Sequence, residues 1–321
     1  MMRSYRQYNT ALGSTADIII VTGSSAKKSK NILNEIWKQI FTFEKQFSRF
    51  IPESELSRFN KNSGTKQFIT DDFKKLLKAS KKISIESKGI YNPFILPALQ
   101  KAGYTKSFVD GTESDVYDDY SKRTVVNIDR LEIEDDWARI PYGTAIDIGG
   151  CGKGYLADCL ADLLDGLVDG YSISLGGDIV TAGHDENNKN WIITIQNSSE
   201  EETSILGEIT MPKERFSISS SGIFIKKGIK ANKEWHHIIN PETLLPAETD
   251  IMLSTVCHEK ALYSDVLASC SIILGSTKSF EYLKSFKVDN ACLQLKEKNN
   301  NQKYLLLGKE IKLHKVHVVI S

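Results

Sequence analysis

Apolar positions along the chain fall into a few distinct patterns. ADIIIVTG (residues 16–23) is a short, nearly continuous apolar run and reads as a buried strand. The next segment, KSKNILNEIWKQIFTFEKQFSRF, places Ile32, Leu33, Ile36, Trp37, Ile40, Phe43 and Phe47 at helical spacing, predicting an amphipathic helix of several turns. TDDFKKLLKASKKISIESKG repeats that logic: Asp71 and Asp72 fall in the first turn, Phe73, Leu76 and Leu77 face inward, and Gly89 ends the helix. Residues 105–124 are polar and acidic and read as a surface excursion.

From residue 124 onward, short β-like runs alternate with turns: TVVNI, SISL, WIITIQ, SILGEITM and FSIS. Two helices interrupt them. One carries Leu156, Cys159, Leu160, Leu163 and Leu164 on one stripe and ends at Gly166, and the other is EKALYSDVLASCSIILG. A tail of SFEYLKSF, ACLQL and KYLLLG adds a helix and two strands. Helices and strands mix without strict βαβ alternation, which predicts an α+β fold with mixed, mostly antiparallel sheets. No repeat or Pro/Gly-rich linker divides the chain, so the expectation is an N-terminal tail over 1–10 and one compact domain over 11–321.

Composition narrows the function classes. Forty-one basic residues balance 41 acidic ones, leaving no electrostatic footprint for nucleic acid or an anionic membrane. The first fourteen residues are polar, without the apolar core of a signal peptide, and no later run is long enough to span a bilayer. A cytoplasmic protein without a membrane anchor is expected. The five cysteines are scattered and form no CxxC pair, so they read as reduced, mostly buried thiols.

The richest chemistry lies in DIGGCGKGYLAD, residues 147–158. Neither a P-loop nor a dinucleotide fingerprint fits, because Asp147, Gly154 and Tyr155 occupy positions those motifs assign to other residues. Glycines at 149, 150, 152 and 154 admit close approach to the backbone, and the following helix end suits a pyrophosphate, with Lys153 adding charge. Taken alone, the segment equally fits a tight strand-to-helix turn packed on a neighbour.

Two further places carry candidate chemistry. In YSDVLAS, Asp265 and Ser269 stand four apart on a helix whose Leu262, Val266, Cys270 and Ile273 mark it as inward-facing. An inward carboxylate needs a partner, and a hard cation is one solution; a local hydrogen bond is another. SSSG (219–222) reads as an oxygen-rich turn at a strand end. His236 and His237 are adjacent, so on a strand they face opposite ways, and one of them can act as a base while the other is structural. GxSxG, HExxH and paired metal-binding histidines are all missing.

In their order along the chain, LGS near the start, FSRFIPESELSRFN, SKGIYNPFILPAL, DIGGCGKGYLAD, SISLGGDI, WIITIQ, SISSSG, HHIINPETLLPA and SDVLASCSIILG together resemble the ApbE family of FAD:protein FMN transferases, over about residues 11–320. The resemblance implies an enzyme that binds FAD and Mg²⁺ (or Mn²⁺), cleaves the pyrophosphate, and passes FMN to a Thr or Ser hydroxyl of an acceptor flavoprotein, releasing AMP. Hydrolysis to FMN and AMP, or FAD binding without chemistry, are the alternatives. It further implies metal ligation by the Gly152 carbonyl, Asp265 and Ser269, and a general base at His237. Contacts to FAD would fall on Leu12, Phe50, Ile90, Tyr91, Asn92, Gly149, Lys153, Tyr155, Ser221 and Ile239. Lys153 would steady either the pyrophosphate or the metal-site carboxylate. Three positions depart from the family pattern: Asn92 and Asn240 replace aspartates, and Leu244 replaces a glycine, which is expected to reshape a turn. No acceptor motif occurs in the chain itself, so the acceptor is expected to be another protein.

Overall fold

The computed structural model describes residues 2–107, 111, 125–198, 204–230, 233–296, 303–314 and 319–320. Most of the polar excursion expected over 105–124 lies outside the described residues. Strands β1 (Arg3–Ala11) and β2 (Ser14–Thr22) are followed by helices α1 (Ala26–Phe47) and α2 (Glu55–Lys61). Then come strand β3 (Gln67–Phe68), helices α3 (Asp71–Glu86) and α4 (Leu96–Ala102), and strands β4 (Glu132–Ile133) and β5 (Trp137–Arg139). Helix α5 (Gly152–Leu164) leads into β6 (Gly170–Leu175), β7 (Asp178–Gly183), β8 (Ile192–Gln196), β9 (Ile205–Thr210) and β10 (Phe216–Gly222). Short strands β11 (Lys227–Lys230), β12 (Lys233–His236), β13 (Ile239–Asn240) and β14 (Leu245–Pro246) precede the long β15 (Ile251–His258). Helices α6 (Ala261–Leu274) and α7 (Ser276–Ser285) and strands β16 (Ala291–Leu295), β17 (Tyr304–Leu307), β18 (Ile311–Leu313) and β19 (Val319–Ile320) complete the order. The fold is α+β, as expected.

Two compact units emerge. The first comprises residues 1–41, 153–224 and 249–321. Its frame is a nine-stranded sheet ordered β1-β2-β6-β7-β10-β15-β16-β17-β19, antiparallel except for the β17–β19 pair. One face buries Ile218, Cys257 and Cys292 against Ile195, Leu206, Ile209 and Ile311 of the smaller β18-β9-β8 sheet. The other face buries Val256, Ala291 and Leu307 against Leu267, Ala268 and Leu283 of α6 and α7. Strand alternation explains the division: Val256 and Cys257 are neighbours and therefore point to opposite faces.

The second unit comprises residues 42–152 and 225–248. Its core is aromatic where the end of α1 meets α2 and α3: the ring centroids of Phe47 and Phe59 lie 5.4 and 5.3 Å from that of Phe73. Ser54 and Thr70 cap α2 and α3 by accepting the N–H groups of Ser57 and Phe73. The hairpins β11–β12 and β13–β14 belong to this unit.

Three local expectations need correction. Residues 3–10, read as part of a tail, form with Ala11 the edge strand β1, paired with β2 over nine positions. Its side chains are mostly polar and exposed, so no apolar alternation announced it. The TVVNI run forms no strand where described: Asn127 caps a 3₁₀ turn over Ile128–Arg130 through the N–H of Asp129. The SSSG segment is the end of strand β10 rather than a turn. All five cysteines are free and four are buried, with burial pushing the Cys257, Cys270 and Cys292 thiols up to about 12. Among the described residues no helix is long and apolar enough to cross a membrane.

Candidate functional site

In the first unit the chemistry gathers around α6. Asp265 is only 4% exposed, and its Oδ2 accepts the N–H of Gly154 at 3.1 Å. Gly154 has to be glycine: a Cβ there would lie 2.5 Å from the Ala261 carbonyl oxygen and 2.9 Å from Asp265 Cβ. The small residue lets α5 press against α6 closely enough for its backbone to hold the carboxylate. One turn along α6, the hydroxyl of Ser269 lies 2.8 Å from that of Ser221 on β10. Strand alternation puts Ser217, Ser219 and Ser221 on the face toward α6, where Ser264 bonds both Ser217 (3.0 Å) and Ser219 (2.8 Å). Ser220 points the other way, to Thr255.

Two buried or half-buried ion pairs frame this cluster. Lys153, on α5, pairs with Asp178 at the start of β7, a carboxylate 1% exposed. Lys153 thus has an ion-pair partner in Asp178. Asp158, also on α5, accepts the N–H groups of Ala261 and Leu262, and Arg215 at the foot of β10 binds its Oδ1 at 2.9 Å. Neither Asp178 nor Arg215 was singled out from sequence, because each is defined only by a partner distant in the chain.

In the second unit, Asp147 joins Arg49 (3.3 Å) and accepts the N–H of Gly149 at 3.1 Å. The Arg49 guanidinium lies over the rings of Phe50 and Tyr104, at 4.2 and 4.5 Å, and donates to the Tyr104 carbonyl. Tyr104 stacks toward Trp235 and meets the His237 ring edge-on, each at 6.3 Å between centroids. An aromatic wall of Phe50, Tyr104, Trp235 and His237 results. The two histidines have different partners. His236 Nε2 lies 3.0 Å from the Ala247 carbonyl oxygen, and its Nδ1 accepts the N–H of Ile238. His237 lies in the bend after β12, with Nδ1 3.3 Å from the Lys226 carbonyl. With that nitrogen donating, the lone pair of the neutral ring sits on Nε2.

The glycine turn is less open than its composition implied. The N–H of Gly149 is held by Asp147, those of Cys151 and Gly152 by the Ile148 carbonyl, and that of Gly154 by Asp265. Residues 145–148 form no strand; Asn60 holds Ile146 through both its N–H and its carbonyl. The turn is therefore internally knotted, and its role in anchoring α5 accounts for most of its donors.

The profile of the ApbE family matches residues 12–293. The chain belongs to the ApbE family. A FAD:protein FMN transferase of Buchnera aphidicola is 28% identical over 263 residues, spanning 76% of this chain and 73% of that one. One from Vibrio cholerae is 24% identical over 274 residues, spanning 83% and 80%. Among solved structures, the apo form of Pseudomonas stutzeri flavinyl transferase ApbE matches with a TM-score of 0.78 at 20% identity, covering 98% of this chain and 95% of that one. The flavin transferase ApbE of Vibrio cholerae gives 0.79 at 22%, covering 95% and 97%.

The remaining ApbE-derived positions have distinct settings. Leu12 and Gly13, with φ of 58° and 65°, form the two-residue turn between β1 and β2. Tyr155 and Ile90 are half-buried. Tyr91 and Ile239 are buried, at 7% and 2% exposure. The Tyr91 ring lies beneath Gly150, its hydroxyl bonds Ser80 at 2.9 Å, and burial pushes that phenol well above its usual range. Asn92 accepts the N–H of Phe94 and donates to the Val126 carbonyl at 2.9 Å. That donation explains the amide: an aspartate, ionised, has no proton to give. Asn240 accepts the N–H of Glu242, which either residue type can do. Leu244 itself adopts the left-handed conformation (φ 55°), so a glycine-type turn is kept and carried as backbone strain of roughly 1–2 kcal/mol.

Proposed function

We propose that this chain is a Mg²⁺-dependent FAD:protein FMN transferase, cleaving FAD and attaching FMN through a phosphoester to a Thr or Ser hydroxyl of an acceptor flavoprotein, with release of AMP. The observation that carries this reading is the pairing on α6 of a 4%-exposed carboxylate, Asp265, with Ser269 one turn away and Ser221 beside it. Family membership and the activity named for the relatives point the same way.

The donor set fits the ion. A carboxylate and two hydroxyls are hard oxygen donors, and no cluster of three or more His, Cys, Asp or Glu occurs among the described residues. Mg²⁺ is commonly held in this sparse way, by one or two carboxylates and the substrate's phosphates, whereas a zinc-type cage would need more ligands. Asp265, Ser269 and the Gly152 carbonyl are the proposed ligands, and Mn²⁺ is a chemically similar alternative. When bound, the ion supplies neutralisation of charge on the phosphate oxygens. Lys153, fixed by Asp178, presents a cation for the pyrophosphate. Phe50 and Tyr104 offer flat faces for an aromatic heterocycle. His237 Nε2 takes the proton of the acceptor hydroxyl as its oxygen attacks phosphorus; AMP departs with the electron pair of the broken P–O bond.

The test incubates the protein with FAD and Mg²⁺, with and without a hydroxyl-bearing acceptor domain, and quantifies AMP and covalent flavin fluorescence together. AMP with acceptor-bound flavin is the expected result. AMP with only free FMN would assign hydrolysis instead, and bound FAD without AMP would remove the chemistry.

A further inference from the structure

One buried hydroxyl beside the proposed cation site has nothing to bond. Ser254, on β15, is 0% exposed, and its Oγ makes no hydrogen bond. A buried hydroxyl in that state forfeits its hydration without a replacement, which native interiors rarely tolerate unless the group serves something else. In the β10–β15 ladder Ser254 stands directly opposite Ser221. Directly opposed residues share a face of the sheet, and Ser221 faces α6, where its hydroxyl meets that of Ser269. Val256, two residues along β15 and so on the same face, packs against Leu267 and Ala268 of α6. Ser254 therefore points toward the helix that carries Asp265 and Ser269.

The reach from Ser254 to Ser221 is short. Opposed Cβ atoms in an antiparallel pair lie about 4.5–5.5 Å apart, and rotation about the Cα–Cβ bond swings a serine oxygen among its staggered positions. The adjacent pair in the same ladder shows that two hydroxyls can close this gap: Ser220 and Thr255 are 2.8 Å apart on the opposite face. A rotamer change at Ser254, with the backbone fixed, brings its oxygen toward Ser221.

A cation supplies the reason to make that bond. A serine oxygen that gives a lone pair to an ion has its proton left to offer, so Ser269 then donates and Ser221 accepts. Ser221 in turn has a proton to place, and the hydroxyl directly opposite it has both lone pairs unused.

We propose that Ser254 is a positioning residue for the cation site, accepting a hydrogen bond from Ser221 when Ser269 ligates the ion. The bonds then run one way, from Ser269 to Ser221 to Ser254. Each acceptor makes the oxygen before it more electron-rich, so Ser269 becomes a better ligand. The inference rests on the Mg²⁺ site of the reading above and adds to it a residue that acts through Ser221. It carries a signature that a packing role lacks. Without the ion the Ser254 hydroxyl is unpaired, so its removal leaves the fold as stable or more so; with the ion, its removal weakens binding.

The experiment titrates Mn²⁺ into the full-length protein, alone and with FAD, the unbound ion being counted by its EPR signal. Melting temperatures are recorded with and without Mn²⁺. The parent is compared with Ser254→Ala, with Ser254→Thr, which keeps a hydroxyl, and with Ser221→Ala alone and combined with Ser254→Ala. Ser254→Ala is expected to weaken Mn²⁺ binding about three- to tenfold while melting no lower than the parent in its absence. Ser254→Thr should bind Mn²⁺ like the parent. Ser221→Ala should also weaken binding, and adding Ser254→Ala should then change nothing further, because the chain of bonds is already broken. Parental affinity in Ser254→Ala, or losses that add in the double variant, would overturn the role of Ser254 while leaving the cation site intact. So would an affinity loss accompanied by a lower melting temperature without Mn²⁺, which marks a packing defect. A parent that takes up Mn²⁺ in neither condition, or no better than Asp265→Asn does, would remove the cation site itself and the proposal with it, so the two failures are distinguishable.

Discussion

Asp158 caps a helix to which it does not belong: its two carboxylate oxygens accept the N–H groups of Ala261 and Leu262 at 2.9 and 3.0 Å. Lys260, at the local cap position, makes no side-chain cap bond, so α5 supplies what the sequence of α6 lacks. Asp158→Ala should cost about 2–3 kcal/mol in urea unfolding, above a typical cap because the Arg215 pair is lost too. Asp158→Asn, which keeps one acceptor, should cost about half. An alanine variant as stable as the parent would contradict the capping role.

Lys153→Met strands the buried carboxylate of Asp178 and should destabilise by about 3–5 kcal/mol. Adding Asp178→Asn should recover more than half of that loss, since the neutral amide no longer needs a counter-charge. Strictly additive effects in the double-mutant cycle would mean that the two side chains act independently.

Asp265→Asn retains an oxygen for the Gly154 N–H and so should leave the melting temperature unchanged. On the proposed reading, Mg²⁺-dependent AMP release should nevertheless fall on the order of 100-fold or more, because the variant loses the anionic ligand proposed to hold the ion. Full activity with normal Mg²⁺ dependence in this variant would displace the metal from α6.

Asn92→Asp removes the donor that satisfies the Val126 carbonyl and should cost about 1–3 kcal/mol at neutral pH. Burial would raise the pKa of the new carboxyl above its unfolded value. Its protonated form can donate again, so the deficit should shrink as pH falls and grow as pH rises through that raised pKa. Chemical denaturation at pH 5 and pH 8 separates this from a simple packing defect, which would be the same at both.

His258 gives a pH effect of opposite sign. Burial holds its pKa below the ordinary 6.5, and its Nδ1 already accepts the N–H of Lys260 at 3.0 Å. The unfolded chain binds the proton more readily, so stability is full above 6.5 and declines as pH falls through the lower folded value. Melting curves of the parent and His258→Gln between pH 8 and pH 5 should diverge on the acid side, with the parent losing more.

How much of this was written in the linear pattern depends on how far apart the cooperating residues lie. Helix α3 was legible because its start, stripe and stop sit within twenty residues: Asp71 and Asp72 open it and Gly89, with φ 79°, turns the chain after it. Asp265 and Ser269 share α6 and were found by spacing. Asp158, Asp178 and Arg215 were not assigned roles, since their partners are 103, 25 and 57 residues away. The amides of residues 149–154 were left open between two readings for the same reason: composition shows which groups can approach a ligand, not which are already engaged. Strand β1 was missed because an exposed edge needs no apolar side chains; its pairing with β2 and the short turn at Leu12 and Gly13 suffice.

The serine hydroxyls facing α6 have one more property. In the pairs Ser219–Ser264 and Ser221–Ser269 either oxygen can be the donor, so their protons can reverse direction without any heavy atom moving, whereas Ser217 commits its proton to the His258 carbonyl at 2.6 Å. The lining beside Asp265 is thus electrically neutral yet reorientable, able to turn oxygens toward a cation or protons toward an anion within one rigid backbone. Replacing Ser221 and Ser269 with alanine would remove this response and leave an apolar patch that answers to neither kind of charge.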